Sequence, residues 1–402
     1  MIMNIKRICI VCMMLPGIVT ISHAGSIYSQ SGIGLFKFFS GTNNRGLGGV
    51  RIGTISATKL PYLNPANLSL ITTTRFDGSF LFEQTDISIF NVEGKRADAI
   101  LNSFQLTFPV KSSFSFAFGL QPYSTTAYDY TSLINNDGFE AVQSVSGAGS
   151  LQRGFLNLGG KINNIISVGV GTDFYFGRVK KTWRLTYLDS QFFPTADENQ
   201  SFLSGIGVHL GMLARLHKKL YVGAVYYSAA TINIENKAVF NFGKETDIVT
   251  KDEKLPEIFG MGASFIPNNN LQIAFDYMVQ ASKENEQDVL TGRQKHNARK
   301  IGFGIAVQPS TKLLSSPLKR LIYNFGFTAS TMPYLDERGE VVDERFFTAG
   351  LSIPFANGKS MLDLSIEFGK RGRIPQNNAQ ESMIRVVAGV GTGELWFLRR
   401  KQ

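Results

Sequence analysis

Cysteine is all but missing from this sequence. Cys9 and Cys12 are the only two in 402 residues, and both fall in the first 24. A chain that loses that segment has no disulfides, no thiolate chemistry and no Cys-based metal site. Histidine is scarce as well: beyond His23 there are only His209, His217 and His296, with no HExxH and no clustered ligands. Charged residues make up 18% of the chain, below the roughly 25% usual for a soluble globular protein. No run of 18 apolar residues exists, so no transmembrane helix is expected. A Walker loop is absent, and so is a dinucleotide fingerprint, because after Gly46 and Gly48 the place for a third glycine holds Arg51. There is no Gly-x-Ser-x-Gly elbow. His209 could serve a membrane-embedded hydrolase only with a nucleophile and an orienting acid, and nothing in the sequence supplies that set. These absences argue against an enzyme and leave no metal or cofactor to expect.

Glycine and phenylalanine are abundant, at 40 and 32 residues. The N-terminus carries Lys6 and Arg7, then an apolar stretch from Ile8 to Ile21, then Ser22-His23-Ala24. That order is the pattern of a secretory signal peptide over residues 1–24. Basic residues (41) outnumber acidic ones (31), but they are scattered and no recognition helix or RNA-binding motif appears. No nucleic-acid partner is expected.

Past residue 73 the dominant signal is period-2 alternation. Ile166, Val168, Val170, Thr172, Phe174 and Phe176 alternate with Ser167, Gly169, Gly171, Asp173, Tyr175 and Gly177. Ile206, Val208, Leu210 and Met212 alternate with glycines and His209, and Leu362, Leu364, Ile366 and Phe368 with Asp363, Ser365 and Glu367. Side chains on a strand point alternately to opposite faces, so each segment has one apolar and one small or polar face. About fourteen such segments occur. Short turns sit at Lys111-Ser112, Asn163-Asn164, His217-Lys218, Pro267-Asn268-Asn269 and Ala356-Asn357-Gly358. Longer polar loops are expected near 128–146, 184–200, 241–255, 284–296, 333–342 and 371–380. Long strands with alternating turn lengths predict an all-β fold, a transmembrane antiparallel β-barrel over 73–402 with lipid outside. Arg153, Asn157, Lys161, Asp173, His209, Asp276, Lys300, Asp363 and Glu367 then face the lumen, either paired with one another or lining a pathway. Pro122 lacks a ladder donor and marks either a break in the third strand or its extension beyond the membrane.

Residues 25–72 do not alternate. Gly32 to Phe39 is apolar and punctuated by glycine, and Arg45-Gly46-Leu47-Gly48-Gly49 and Asn64-Pro65-Ala66 follow. Such a segment cannot face lipid, and it suits a plug folded into the lumen. On these two motifs, the strand count and the C-terminal Leu395-Trp396-Phe397, the sequence resembles the FadL/TodX type of outer-membrane transporters for hydrophobic compounds. The resemblance implies an N-terminal hatch, capture of ligand at the outer loops and release sideways into the membrane at the third strand, here around Gly119 and Pro122. It implies outer-membrane lipids and a hydrophobic small molecule, fatty-acid-like, as partners. The barrel-assembly machinery would read the C-terminal aromatic, although this chain adds Leu398 to Gln402 after it. Phe36, Phe38 and Phe39 are the expected apolar contacts, and Arg153, Lys161, His209 and Lys300 the expected polar ones. Relatives of this type also include secretion-system scaffolds, so a protein partner at the outer loops or the periplasmic face is the alternative.

Overall fold

The computed structural model describes residues 25–394 apart from 38–40, 90–91, 112, 137–138, 189–191, 241–243, 246–247, 284–285, 311 and 313–314. The expected signal peptide, Phe38, Phe39 and the C-terminal aromatic lie outside the described residues.

Fourteen strands form one closed antiparallel barrel. They are β1 (Thr74–Ile89), β2 (Val92–Lys111), β3 (Phe114–Asn136), β4 (Phe139–Lys161), β5 (Ile166–Tyr187) and β6 (Thr195–His217). Then come β7 in two segments (Leu220–Tyr227 and Ala230–Phe240) and β8 in two (Val249–Leu255 and Glu257–Asn268). The circuit continues through β9 (Leu271–Ala281), β10 (Ala298–Val307), β11 (Ile322–Thr331), β12 (Asp343–Phe355), β13 (Ser360–Arg371) and β14 (Ala379–Glu394). It closes where β14 pairs with β1 from Glu394↔Thr74 to Ala379↔Ile89. The interruption of β8 falls at Pro256, a residue with no N–H for the ladder.

Burial follows the alternation. On β6 the odd positions from Ser201 to Leu213 are mostly buried and the even ones exposed. The exposed set includes Ile206, Val208, Leu210 and Met212, and around the wall Phe80, Phe82, Phe174, Phe176, Phe303, Phe347 and Ile384. These side chains form the apolar girdle that lipid would cover, and closure leaves no sheet edge facing it over most of the circumference.

Three of the expected long loops are shorter than the sequence pattern suggests. Residues 128–136 and 139–146 remain paired strand, with register running to Asn136↔Phe139. Much of 184–200 and 249–255 is likewise strand. Strands β3, β4 and β6 therefore reach 23 residues each. At ~3.3 Å per residue that is about 75 Å, far taller than an apolar band of ~25 Å. Beyond the bilayer neither face has to be apolar, so alternation fades while backbone pairing continues.

Residues 25–37 and 41–72 lie against inward positions of strands on both sides of the barrel. Helix α1 (Thr42–Gly46) ends in Gly48 (φ +70°) and Gly49 (φ +68°), left-handed conformations that favour glycine. Asn64 caps the 3₁₀ turn Pro65–Leu70 by accepting from Ala66 N at 3.0 Å. Its amide nitrogen donates to Ile52 O (2.9 Å) and to Met212 O on β6 (3.0 Å). Asp276 on β9 accepts from two consecutive backbone N–H groups, Arg51 (2.5 Å) and Ile52 (2.8 Å). The two motifs that stood out in the sequence are thus the places where this segment turns and fastens to the wall.

The wall answers with glycine. A Cβ at Gly159 or Gly169 would overlap the Pro65 backbone, one at Gly211 the Asn64 side chain, one at Gly304 the Leu47 backbone and one at Gly326 the backbone of Gly48. By contrast, a Cβ at Gly94 meets nothing within 4 Å. Gly169→Val is therefore expected to destabilise the barrel by about 1–3 kcal/mol, read as a lower temperature for the heat-induced shift in gel migration. Gly94→Val should leave that temperature unchanged, and equal effects at both sites would contradict the docking.

Candidate functional site

Two of the groups of charged side chains in the interior are assembled largely from neighbouring strands. In the first, Arg153 on β4 donates through Nε to Asp173 Oδ1 on β5 (2.7 Å) and through Nη1 to Gln121 Oε1 on β3 (3.3 Å). Asp173 Oδ2 accepts from His209 Nδ1 on β6 at 2.9 Å. The guanidinium lies over Phe155 (4.9 Å) and Tyr227 (5.2 Å), and the His209 ring stacks on Tyr227 at 4.7 Å. Tyr227 in turn donates to Leu63 O (2.6 Å), which ties the group to the N-terminal segment. Arg153 and His209 are fully buried. His209 Nε2 has no hydrogen-bond partner among the described residues, so no hydroxyl is held there for activation.

The second group spans β12, β13, β14 and β1. Arg385 pairs with Glu83, Glu344 and Glu367, and Arg371 with Glu344 (3.1 Å) and Glu381 (2.6 Å). Glu381 also accepts from Ser26 Oγ (2.9 Å) and Ile27 N (2.8 Å). Arg45 of α1 joins through Glu367 (3.3 Å) and Asn102 (3.0 Å). Buried charges of this kind are tolerated when each has partners, and here the partners come from both the wall and the N-terminal segment.

A cavity of about 70 Å³ lies beside this second group. Lys37, Arg45, Lys300, Arg371 and Arg385 line it against Glu344 and Glu367, with Phe36, Met332 and Phe346 as apolar wall. The arginines are paired, and Lys300 Nζ donates to Gly49 O at 3.5 Å. Lys37 has no ion-pair partner among the described residues. Burial pulls its ammonium from the usual lysine range down to about 8, despite the opposing pull of Glu83.

Phe36 sits at the junction of three features. Its ring packs on Tyr123 at 5.0 Å, it lines the cavity, and it belongs to the strand Leu35–Phe36 that pairs with Thr125 and Ser124 of β3. Lys37 N donates to Tyr123 O (2.9 Å) and Ser124 Oγ to Ile33 O (2.6 Å). This edge of β3 is free because β2 has left it: among the described residues the β2–β3 register ends at Phe104↔Leu120. The break begins at Gln121-Pro122, just past Gly119 and Leu120. On its other side β3 continues along β4, with a bulge between Pro122 and Ser124. A Cβ at Gly119 would overlap Phe104 O and the Phe155 ring.

Of the residues singled out from sequence, Phe36, Lys300, Gly119 and Pro122 gather around the cavity and the strand break. Arg153 and His209 form a separate, internally paired group, and Lys161 is exposed at the end of β4. Lys37, Arg371, Glu381 and Arg385 were not singled out. Glu381 and Arg385 share the inward face of β14, and that i, i+4 relation on an alternating strand is the signal that finds them.

A charged lysine placed where its folded pKa is depressed costs stability below pH 8, and that cost fades as pH rises towards the unfolded value of ~10.4. Lys37→Met is therefore expected to raise the unfolding temperature at pH 7 and to leave it unchanged near pH 10.5. An equal gain at both pH values would show that Lys37 is not buried as a cation.

No curated protein matches the sequence. Several solved barrels share the fold. The Ralstonia pickettii toluene transporter TbuX superposes with a TM-score of 0.58 at 13% identity, covering 88% of this chain and 98% of the other. The Pseudomonas putida toluene transporter TodX gives 0.57 at 15% (92% and 100%), and a Pseudomonas aeruginosa FadL homologue 0.60 at 10% (90% and 99%). The family model described as BamG matches residues 1–402.

Proposed function

We propose that this chain, which belongs to the BamG family, is an outer-membrane barrel that passively moves a hydrophobic or amphipathic molecule of fatty-acid type. Residues 25–72 act as its plug. The observation that carries the reading is the placement of the Lys37 ammonium, without an ion-pair partner among the described residues, next to Phe36, at the point where β2 parts from β3. An amphipathic acid needs a cation for its head, an apolar surface for its tail and a way out of the wall; these three lie within a few residues of one another. The molecule enters at the end of the barrel opposite the chain termini. Its tail packs on Phe36 and Tyr123, with burial contributing about 25 cal/mol per Å² of apolar surface. Its carboxylate faces Lys37 and Lys300, and it leaves sideways between β2 and the N-terminal strand. The shared fold of barrels named as toluene transporters supports this reading.

A second reading, a protein-interaction or secretion-system scaffold, is favoured by the size of the cavity. About 70 Å³ is small beside the ~300–1,000 Å³ of ordinary ligand pockets, so transport requires Phe36 or its neighbours to move.

Titration of the purified protein with the fluorescent fatty acid cis-parinarate separates the two. Saturable binding is expected, with Phe36→Ala weakening it about tenfold, or ~1.4 kcal/mol. Lys37→Met should weaken the acid more than the corresponding alcohol. Absence of saturable binding, together with a stoichiometric protein that co-purifies, would overturn the transport reading in favour of the scaffold.

A further inference from the structure

The end of the barrel that carries the chain termini, periplasmic in the outer-membrane reading, differs in charge from the opposite end. Its six turns, at 112–113, 162–165, 218–219, 269–270, 308–321 and 356–359, hold no Asp or Glu, and five of them contain or adjoin a lysine. The loops at the other end mix the signs: 333–342 alone carries Asp336, Glu337 and Glu340 with Arg338. The basic residues are densest on two turns, with Lys218 and Lys219 between β6 and β7, and Lys319 and Arg320 between β10 and β11. The three lysines are exposed and Arg320 is half-buried, and none of the four has an acidic partner among the described residues.

The main chain beneath these side chains is fastened. Ile266 N donates to Lys219 O (2.8 Å), Gln308 N to Asn270 O (2.8 Å) and Ser310 N to Lys319 O (2.7 Å). Asn270 Nδ2 donates to Pro309 O (2.7 Å), and Gln308 Nε2 to Arg320 O (3.3 Å). These bonds join the β6–β7, β8–β9 and β10–β11 turns into one platform, with a cationic pair at each side and neutral asparagines between. Each pair stands beside an exposed leucine: Leu216 (63%) precedes Lys218 and Leu318 (70%) precedes Lys319. Leu216 continues the outward row of Ile206, Val208, Leu210 and Met212, which puts it at the edge of the lipid girdle. Lys218 follows two residues later, about 7 Å further along the chain, at the depth where headgroup phosphates begin. An apolar side chain at the acyl boundary with a cation just outside it fits a lipid headgroup. A soluble acidic partner would meet the cations and leave the leucines uncovered.

We propose that this platform binds anionic phospholipid headgroups of the leaflet around the termini end of the barrel. The two cationic pairs lie four strand spacings apart, about 19 Å, so each takes its own phosphate. The ammonium and guanidinium groups donate to phosphate oxygens, and the leucines lie against the first methylenes of the acyl chains. The platform is outside the lumen, so it stands or falls independently of any transported molecule.

Native mass spectrometry tests this by counting the phosphatidylglycerol and phosphatidylcholine that the full mature chain retains from mixed micelles of a neutral detergent. Phosphatidylglycerol is expected to be retained about tenfold over phosphatidylcholine, and the preference should shrink as the electrolyte rises from about 0.1 M to about 1 M. Lys218→Gln with Lys219→Gln should remove one of the bound anionic lipids, and adding Lys319→Gln and Arg320→Gln should abolish the preference. Lys251→Gln with Lys254→Gln, at the opposite end, and Phe36→Ala, in the lumen, should leave it unchanged. Heat-dependent gel migration reports whether each variant is folded; should the fourfold variant fail to fold, the Lys218/Lys219 variant still reads the loss of one lipid. Equal retention of the two lipids, or a preference that survives in the folded platform variants, would overturn the proposal. So would a preference lost equally on substituting Lys251 and Lys254, since net charge rather than the platform would then be responsible.

Discussion

Everything inside this barrel depends on how closely the backbone of residues 41–70 approaches the wall. A Cβ at Gly159, Gly169, Gly304 or Gly326 would occupy space already taken by the backbone of that segment. The approach lets Asn64 bond Met212 O and lets Asp276 collect two backbone N–H groups. The peptide groups of an irregular segment at membrane depth are thereby satisfied by protein rather than left in a water-poor interior. The high glycine content of the chain is in part the imprint of this contact on the wall.

Charge placement follows from the same geometry. With the segment seated, Arg45 reaches Glu367 and Asn102, while Ser26 and Ile27 reach Glu381. Arg371 and Arg385 then have enough partners to remain charged away from water. Lys37 stands out against this background of pairing, since it sits in the same region without an ion-pair partner among the described residues. The strand Leu35–Phe36 just before it occupies the edge that β2 abandons, so the break in the wall, the apolar ring and the cation belong to one local structure.

Much of this was legible in the sequence, for reasons that also explain what was not. Alternation over 166–177 or 206–212 exposes a strand because lipid demands one apolar face. It fails over 128–146, where the strands have risen past the lipid and backbone pairing continues without a lipid-facing side, and the Asn136-Asp137-Gly138 hairpin signal reads as part of a polar loop. The runs Arg45 to Gly49 and Asn64 to Ala66 are visible as motifs because turns and close contacts restrict residue type. Arg371 looks like the start of a loop until its strand register places it inward. Lys37 carries no local pattern at all: its significance lies in which neighbours it lacks, and that is a property of the folded chain. Pro122 could be read from sequence either as a strand break or as an extension past the membrane, and nothing in the sequence pointed to the strand that takes up the freed edge, 87 residues earlier in the chain at Leu35.

In the proposed function, residues 25–37 and 41–72, held against the glycine-lined wall and tied to it by the Arg45, Arg371 and Arg385 pairs, close the lumen along its axis. Ion conductance of the mature chain in a planar lipid bilayer tests it most directly. No steady conductance is expected at neutral pH and ordinary salt. A steady open current of porin size would contradict it.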